Sequence, residues 1–184
     1  MKLWLLRHAR LECPDGLCYG ASDLPANALD TRRAAQALAQ LLPAQAPVWV
    51  SGLARTRQLA REIQRLRPDL GLPRADTRLN EMNFGCWELQ AWSAIPRAAL
   101  DDWLADFGQH RFGGVESAQQ VIDRVGAALA ELQSGQLQQA VWITHAGVIR
   151  AVQYLLAARG APLRAASQWP RDAPAPGAFV CLQI

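Results

Sequence analysis

Two histidines each stand at the end of an apolar run. Arg7-His8-Ala9 follows Leu3-Trp4-Leu5-Leu6, and Thr144-His145-Ala146-Gly147 follows Ala140-Val141-Trp142-Ile143. A third run, Val48-Trp49-Val50, leads into Ser51-Gly52-Leu53-Ala54-Arg55-Thr56-Arg57. The chain has only three histidines, so two in this kind of position form a selective pattern. Small residues after each one (Ala9, Ala146, Gly147) let a ligand approach the backbone. Two guanidiniums, Arg7 and Arg55, and two imidazoles make a pocket for a tetrahedral dianion. Arginine grips oxyanions through a planar fork and stays charged at any working pH. A neutral imidazole nitrogen attacks phosphorus when a hydrogen bond to its other nitrogen fixes the tautomer. Transfer of a phosphoryl group asks chiefly for positioning and charge neutralisation.

A departing alkoxide also needs a proton. Asp76, Glu81, Glu88 and Glu116 are the carboxylates near expected loops. Glu81 stands in Leu79-Asn80-Glu81-Met82-Asn83-Phe84-Gly85-Cys86-Trp87-Glu88, where apolar flanks favour a protonated carboxyl. Spacing alone leaves Glu81 and Glu88 both open. No Asp-rich cluster is visible, and the four cysteines (Cys13, Cys18, Cys86, Cys181) include no Cys-x-x-Cys pair. Ordinary reduced thiols, no metal site and no cofactor are expected.

The elements that must position these residues alternate in type. Strands are expected at Leu3–Leu6, Val48–Ser51, Ala140–Thr144 and Phe179–Ile184, with a weaker one near Arg74–Arg78. Their continuous apolar character suggests burial on both faces. Helices are expected at Asp30–Leu42, Leu53–Leu66, Glu116–Leu132 and Ala146–Arg159. Alternation of this kind implies an α/β domain, a three-layer α/β/α sandwich with a mainly parallel central sheet. Ligands of such sheets bind beyond the carboxyl ends of the strands, where the two histidines and both arginines fall.

Composition is that of one globular domain: 184 residues, 51% hydrophobic and 19% charged, with a formal net charge of +3. Lys2 is the only lysine. A modest arginine excess suits an anionic small molecule, and no basic stretch with interleaved aromatics points to nucleic acid. The apolar run near Met1 is too short for a signal peptide core or a membrane span, so a cytoplasmic location without membrane contact is expected. Oligomeric state is not legible.

The blocks together resemble the histidine phosphatase superfamily, the phosphoglycerate mutase-like fold. Arg7-His8 resembles its Arg-His-Gly signature. Ser51 to Ala60 resembles its Ser-x-Leu-x-Arg-(Ala/Thr)-x-Gln-Thr-Ala block. Leu79 to Glu88 resembles Leu-x-Glu-x-x-Phe-Gly-x-Trp-Glu, and Thr144 to Arg150 resembles (Ser/Thr)-His-Gly-Gly-x-x-Arg. The resemblance implies one such domain over 1–184 and a metal-free mechanism on a small phosphorylated metabolite. It implies that His8 is the phosphorylated nucleophile, that Arg7, Arg55 and His145 hold the phosphoryl oxygens, and that Glu81 is the proton donor. Leu79-Asn80-Glu81-Met82 with Phe84-Gly85 and Trp87-Glu88, and the first loop Gly16 to Pro25, are similar to α-ribazole phosphatases of cobalamin biosynthesis. Tyr19, Gly20, Trp87 and Ala146 are then the candidate substrate-pocket residues.

Several positions depart from the family pattern. Ala9 replaces the glycine of Arg-His-Gly, in a crowded turn whose φ is expected to suit alanine poorly. Leu11 stands where many members carry threonine, Leu59 replaces the threonine of Gln-Thr-Ala, and Val115 replaces a glycine of Gly-Gly-Glu-Ser. Two alternatives therefore stand beside the phosphatase: a weakened phosphate-ligand binding protein on the same fold, and a mutase-type phosphotransferase. Trp4, Trp49 and Trp142 are expected in the core. Trp87, Trp92 and Trp103 are expected to pack together, with Trp87 nearest the ligand. His110 is expected in solvent, and Pro162–Pro176 as a surface loop.

Overall fold

A computed structural model describes residues 1–184. Its five strands are β1 (Lys2–Arg7), β2 (Val48–Val50), β3 (Arg74–Ala75), β4 (Gln139–Thr144) and β5 (Phe179–Gln183). They form one sheet in the order β3-β2-β4-β1-β5. The first four run parallel, and β5 lies antiparallel against β1 at the edge. The mainly parallel sheet read from the sequence is therefore present.

Side chains of the central strands alternate between two cores. Leu3, Leu5, Ala140 and Trp142 enter a cluster on one face, with Val121, Val125, Ile149 and Val152. Leu6, Val141 and Ile143 enter the cluster on the other, with Leu38, Leu59 and Ile63. This is why β1 and β4 read as unbroken apolar runs: both of their faces are covered. The covering helices are α1 (Ala28–Ala39) and α2 (Ala54–Leu66) on one side, α4 (Ala118–Ser134) and α5 (Ala146–Ala158) on the other. A fifth, α3 (Arg97–Ala105), has no fully buried residue, so its periodicity is weak in the sequence.

Caps explain the shifted boundaries. The Asn27 side chain accepts from the Asp30 N–H and starts α1 ahead of the expected Asp30. Ser117 and Gln120 form a capping box that starts α4 after Glu116 rather than on it. The expected strand near Arg74–Arg78 stops after two residues, because the Asp76 carboxylate accepts from the Arg78 N–H and turns the chain into a 3-10 turn at Thr77–Leu79. α5 begins at Ala146 with no side-chain cap, which leaves first-turn N–H groups free for the site. Trp142 is buried as expected, but Trp4 and Trp49 are only half-buried, at the flank of the sheet. β5 is likewise half-exposed, as an edge strand.

Candidate active site

Strand register gathers the candidate residues. Arg7 lies opposite Thr144, and Val50 lies opposite Ile143. The residues that follow, His8, His145 and Ser51, therefore leave the sheet along one edge. The two imidazoles face each other with 5.1 Å between ring centroids. His8 is 3% exposed and His145 is 0% exposed.

The hydrogen bonds of each ring assign its tautomer. His8 Nδ1 lies 2.7 Å from the carbonyl oxygen of Ala9. A carbonyl only accepts, so Nδ1 carries the proton and Nε2 keeps a bare lone pair. Burial lowers the His8 pKa to about 3, with repulsion from Arg55 and Arg7 in the same direction and the Ala9 bond opposing. The ring is neutral at ordinary pH. On the other ring, Arg55 Nε donates to His145 Nδ1 at 3.2 Å, so His145 donates from Nε2 to Ser51 Oγ at 2.7 Å. Burial, Arg55 and His8 together hold the His145 pKa well below its ordinary value.

Arg55 is fully buried and ties three groups together. Besides His145, it donates to the carbonyls of Ser22 (2.8 Å) and Gly20 (2.5 Å). The half-buried Tyr19 ring lies over its guanidinium, 5.6 Å from the centroid. With one N–H per nitrogen engaged, about two of the five N–H groups remain for an anion. Burial lowers the Arg55 pKa, opposed first by Glu81. Arg7 donates to the Pro174 carbonyl at 2.9 Å, while its buried Nε has no partner and stands as an open donor. Burial lowers its pKa too, with Tyr19 and Glu81 opposing.

The two carboxylates left open by spacing occupy different environments. Glu88 accepts from the N–H groups of Gly20, Ala21, Ser22 and Phe84 and from the Ser22 hydroxyl, at 2.5–3.1 Å. Burial pushes its pKa up, but these bonds outweigh it and hold the carboxyl below its usual range. Glu88 is thus an anchor for the turn that Arg55 grips. That turn needs Gly20, since a Cβ there would strike the Met82 carbonyl. Glu81 has only two donors, the N–H groups of Met82 and Gly147, each at 3.1 Å. Gly147 lies in the uncapped first turn of α5, and a Cβ on it would collide with Glu81 Oε1.

Glu81 and Gly147 also open onto a cavity of about 480 Å³, walled by Met82, Phe84, Trp92, Trp103, Phe107 and Trp169, with Arg150 and Arg171 as its cations. Several expectations change here. Trp87 does not line this cavity; it packs against Phe112, 6.0 Å between centroids. The Pro162–Pro176 segment is not a plain surface loop. It supplies Trp169 to the wall, and its carbonyls at Pro174 and Arg171 accept from Arg7 and Arg150. His110 is half-buried rather than solvated. Ala9 is buried but keeps a negative φ, so its turn does not require glycine. Ala146 directly follows His145 and is buried as the first residue of α5.

Sequence reasoning placed Ser51 and Arg150 within motif blocks without giving either a role, and it missed Trp169. A polar residue closing an apolar strand was the available signal for Ser51. Trp169 had none, because its position depends on a long irregular segment returning to the site.

Two neutral histidines, one buried and one half-buried arginine and one lightly held carboxylate at the end of a mainly parallel sheet define a class of protein built to handle phosphoryl groups. The chain belongs to the histidine phosphatase superfamily (branch 1), whose family model matches residues 3–175. Its fold resembles TTHB049 from Thermus thermophilus, at 30% identity over 99% of this chain and 93% of that one, with a TM-score of 0.70. A phosphoglycerate mutase from the same organism is also similar, at 30% identity over 99% and 92%, with a TM-score of 0.71. So is a mycobacterial glucosyl-3-phosphoglycerate phosphatase in complex with VO3, at 25% identity over 99% and 92%, with a TM-score of 0.80. No curated protein matches the chain in sequence.

Proposed function

We propose that residues 1–184 act as one metal-independent phosphomonoesterase domain working through a phosphohistidine at His8. The observation that carries this reading is the His8 tautomer: a bond from Nδ1 to a backbone carbonyl leaves Nε2 bare in a neutral, buried ring. In the first half-reaction His8 Nε2 bonds to phosphorus while the bond from phosphorus to the leaving oxygen breaks. Glu81, in its protonated form, gives that oxygen its proton. Arg7 and Arg55 neutralise the phosphoryl oxygens. In the second half-reaction water attacks phosphorus, the Glu81 carboxylate takes a water proton, and the bond from phosphorus to Nε2 breaks.

His145 needs an adjustment to hold a phosphoryl oxygen, since its Nδ1 accepts from Arg55. An entering dianion raises the affinity of Nδ1 for a proton, which is taken up from solvent, and Arg55 Nε turns to the dianion. Support for a metal-free route comes from Arg7 and Arg55, whose free donors supply the positive charge that the phosphoryl oxygens need.

For the substrate we propose a small phosphorylated metabolite, with α-ribazole 5′-phosphate of cobalamin biosynthesis as the candidate, in the cytoplasm. The loops Leu79–Glu88 and Gly16–Pro25 support this, since they carry the resemblance and are joined by the Glu88 anchor. The test is hydrolysis of para-nitrophenyl phosphate and α-ribazole 5′-phosphate with excess EDTA. Turnover that survives the chelator and is lost in His8→Ala supports the reading. Phosphate binding without turnover by the intact protein contradicts it and favours a binding protein.

A further inference from the structure

We infer that the cavity between Glu81 and Trp169 seats the leaving group and selects a flat aromatic or heteroaromatic one over a polyol. The inference deepens the phosphomonoesterase reading and rests on it for the direction of the substrate. Glu81 must face the leaving oxygen, and Glu81 is also a wall of this cavity. Glu81 also borders a polar cavity of about 400 Å³ beside Asn80, Asn83 and Arg124, but only the cavity of about 480 Å³ reaches Gly147, two residues after His145, so what lies beyond the leaving oxygen is assigned to that space.

The walls suit π faces. Three tryptophans arrive from three separate segments: Trp92 from a 3-10 turn, Trp103 from α3 and Trp169 from the C-terminal segment. Fully buried Phe112 fixes two of them, stacking on Trp103 (4.4 Å, 17°) and Trp92 (6.0 Å, 6°). Trp169 packs against Phe107 at 6.2 Å and Tyr154 at 6.4 Å, and Phe107 in turn stacks on Trp103 at 5.1 Å, so Trp169 forms a further side of the same aromatic cluster. Flat rings gain most between such faces. A polyol fares worse, because each buried hydroxyl needs a partner. Among the lining side chains only Glu81 accepts strongly, while Arg150 and Arg171 only donate. Neither arginine is paired to a carboxylate, and Arg150 gives one N–H to the Arg171 carbonyl, so other donors remain for acceptors on the ring edge.

Two primary alkyl phosphates of similar leaving-group basicity isolate the effect: 2-(indol-3-yl)ethyl phosphate and glycerol 3-phosphate. The expected result is a higher kcat/KM for the indole ester. Trp169→Ala should lower that value ~10-fold, mostly through KM, and lower the glycerol 3-phosphate value by clearly less. Trp169→Phe keeps most of the preference and guards against a folding defect. Calorimetric binding of the indole ester to His8→Ala reads the cavity without turnover, and para-nitrophenyl phosphate hydrolysis reports separately on the phosphatase chemistry. Equal use of both esters, equal losses on Trp169→Ala, or no binding of the indole ester would overturn the inference.

Discussion

At the scale of residues, the site is a set of hydrogen bonds that leave particular atoms free. The Ala9 carbonyl fixes one proton on His8, and Ser51 fixes one on His145. Ser51→Ala removes the acceptor for a buried Nε2 proton. The expected cost is ~1–3 kcal/mol of stability, read from urea denaturation midpoints. Gly147→Ala acts on chemistry instead. Its Cβ displaces the Glu81 carboxylate from the Gly147 N–H, so kcat should fall by ~10- to 100-fold with KM little changed. A rise in KM with kcat intact would show that Glu81 binds substrate rather than moving a proton.

At the scale of elements, one turn depends on one carboxylate. Residues 20–22 are hung from Glu88 on one side and gripped by Arg55 on the other. Glu88→Gln replaces a charged acceptor with an amide that must turn its NH₂ toward N–H donors. The turn should loosen, with faster proteolysis between Tyr19 and Ser22 and a drop in kcat/KM of ~10-fold or more as Arg55 loses its seat. Strands β1, β2 and β4 were legible in the sequence because burial on both faces forces unbroken apolar runs. The histidines at their ends were legible for the same reason, as polar residues that close such runs. α3 was not, since it buries no full face, and neither was Trp169, which an irregular segment returns to the site over a distance that no local periodicity encodes. The choice between Glu81 and Glu88 needed the donor count around each carboxylate.

At the scale of the whole molecule, the two buried neutral histidines set an acid limit. His8 takes a proton at its ordinary 6.5 in the unfolded chain but only near 3 in the fold. The unfolded chain binds more protons between those values, so stability should fall as pH drops from 6.5 toward 3 and stay level above 6.5. His145 acts in the same direction. Denaturation midpoints between pH 7 and pH 5 test this before most carboxylates titrate, and His8→Gln should flatten the slope. The fold is shared by a phosphatase and a mutase among the similar structures, so architecture alone does not choose between them. The central claim is the covalent one, and it has a direct measurement. The protein is mixed with para-nitrophenyl phosphate in EDTA, quenched in alkali within milliseconds, and its peptides are weighed by mass spectrometry. The account predicts an added phosphoryl group on His8 that decays with turnover and is absent in His8→Ala. Steady turnover with His8 unmodified at every quench time, or a phosphoryl group on another residue, would contradict it.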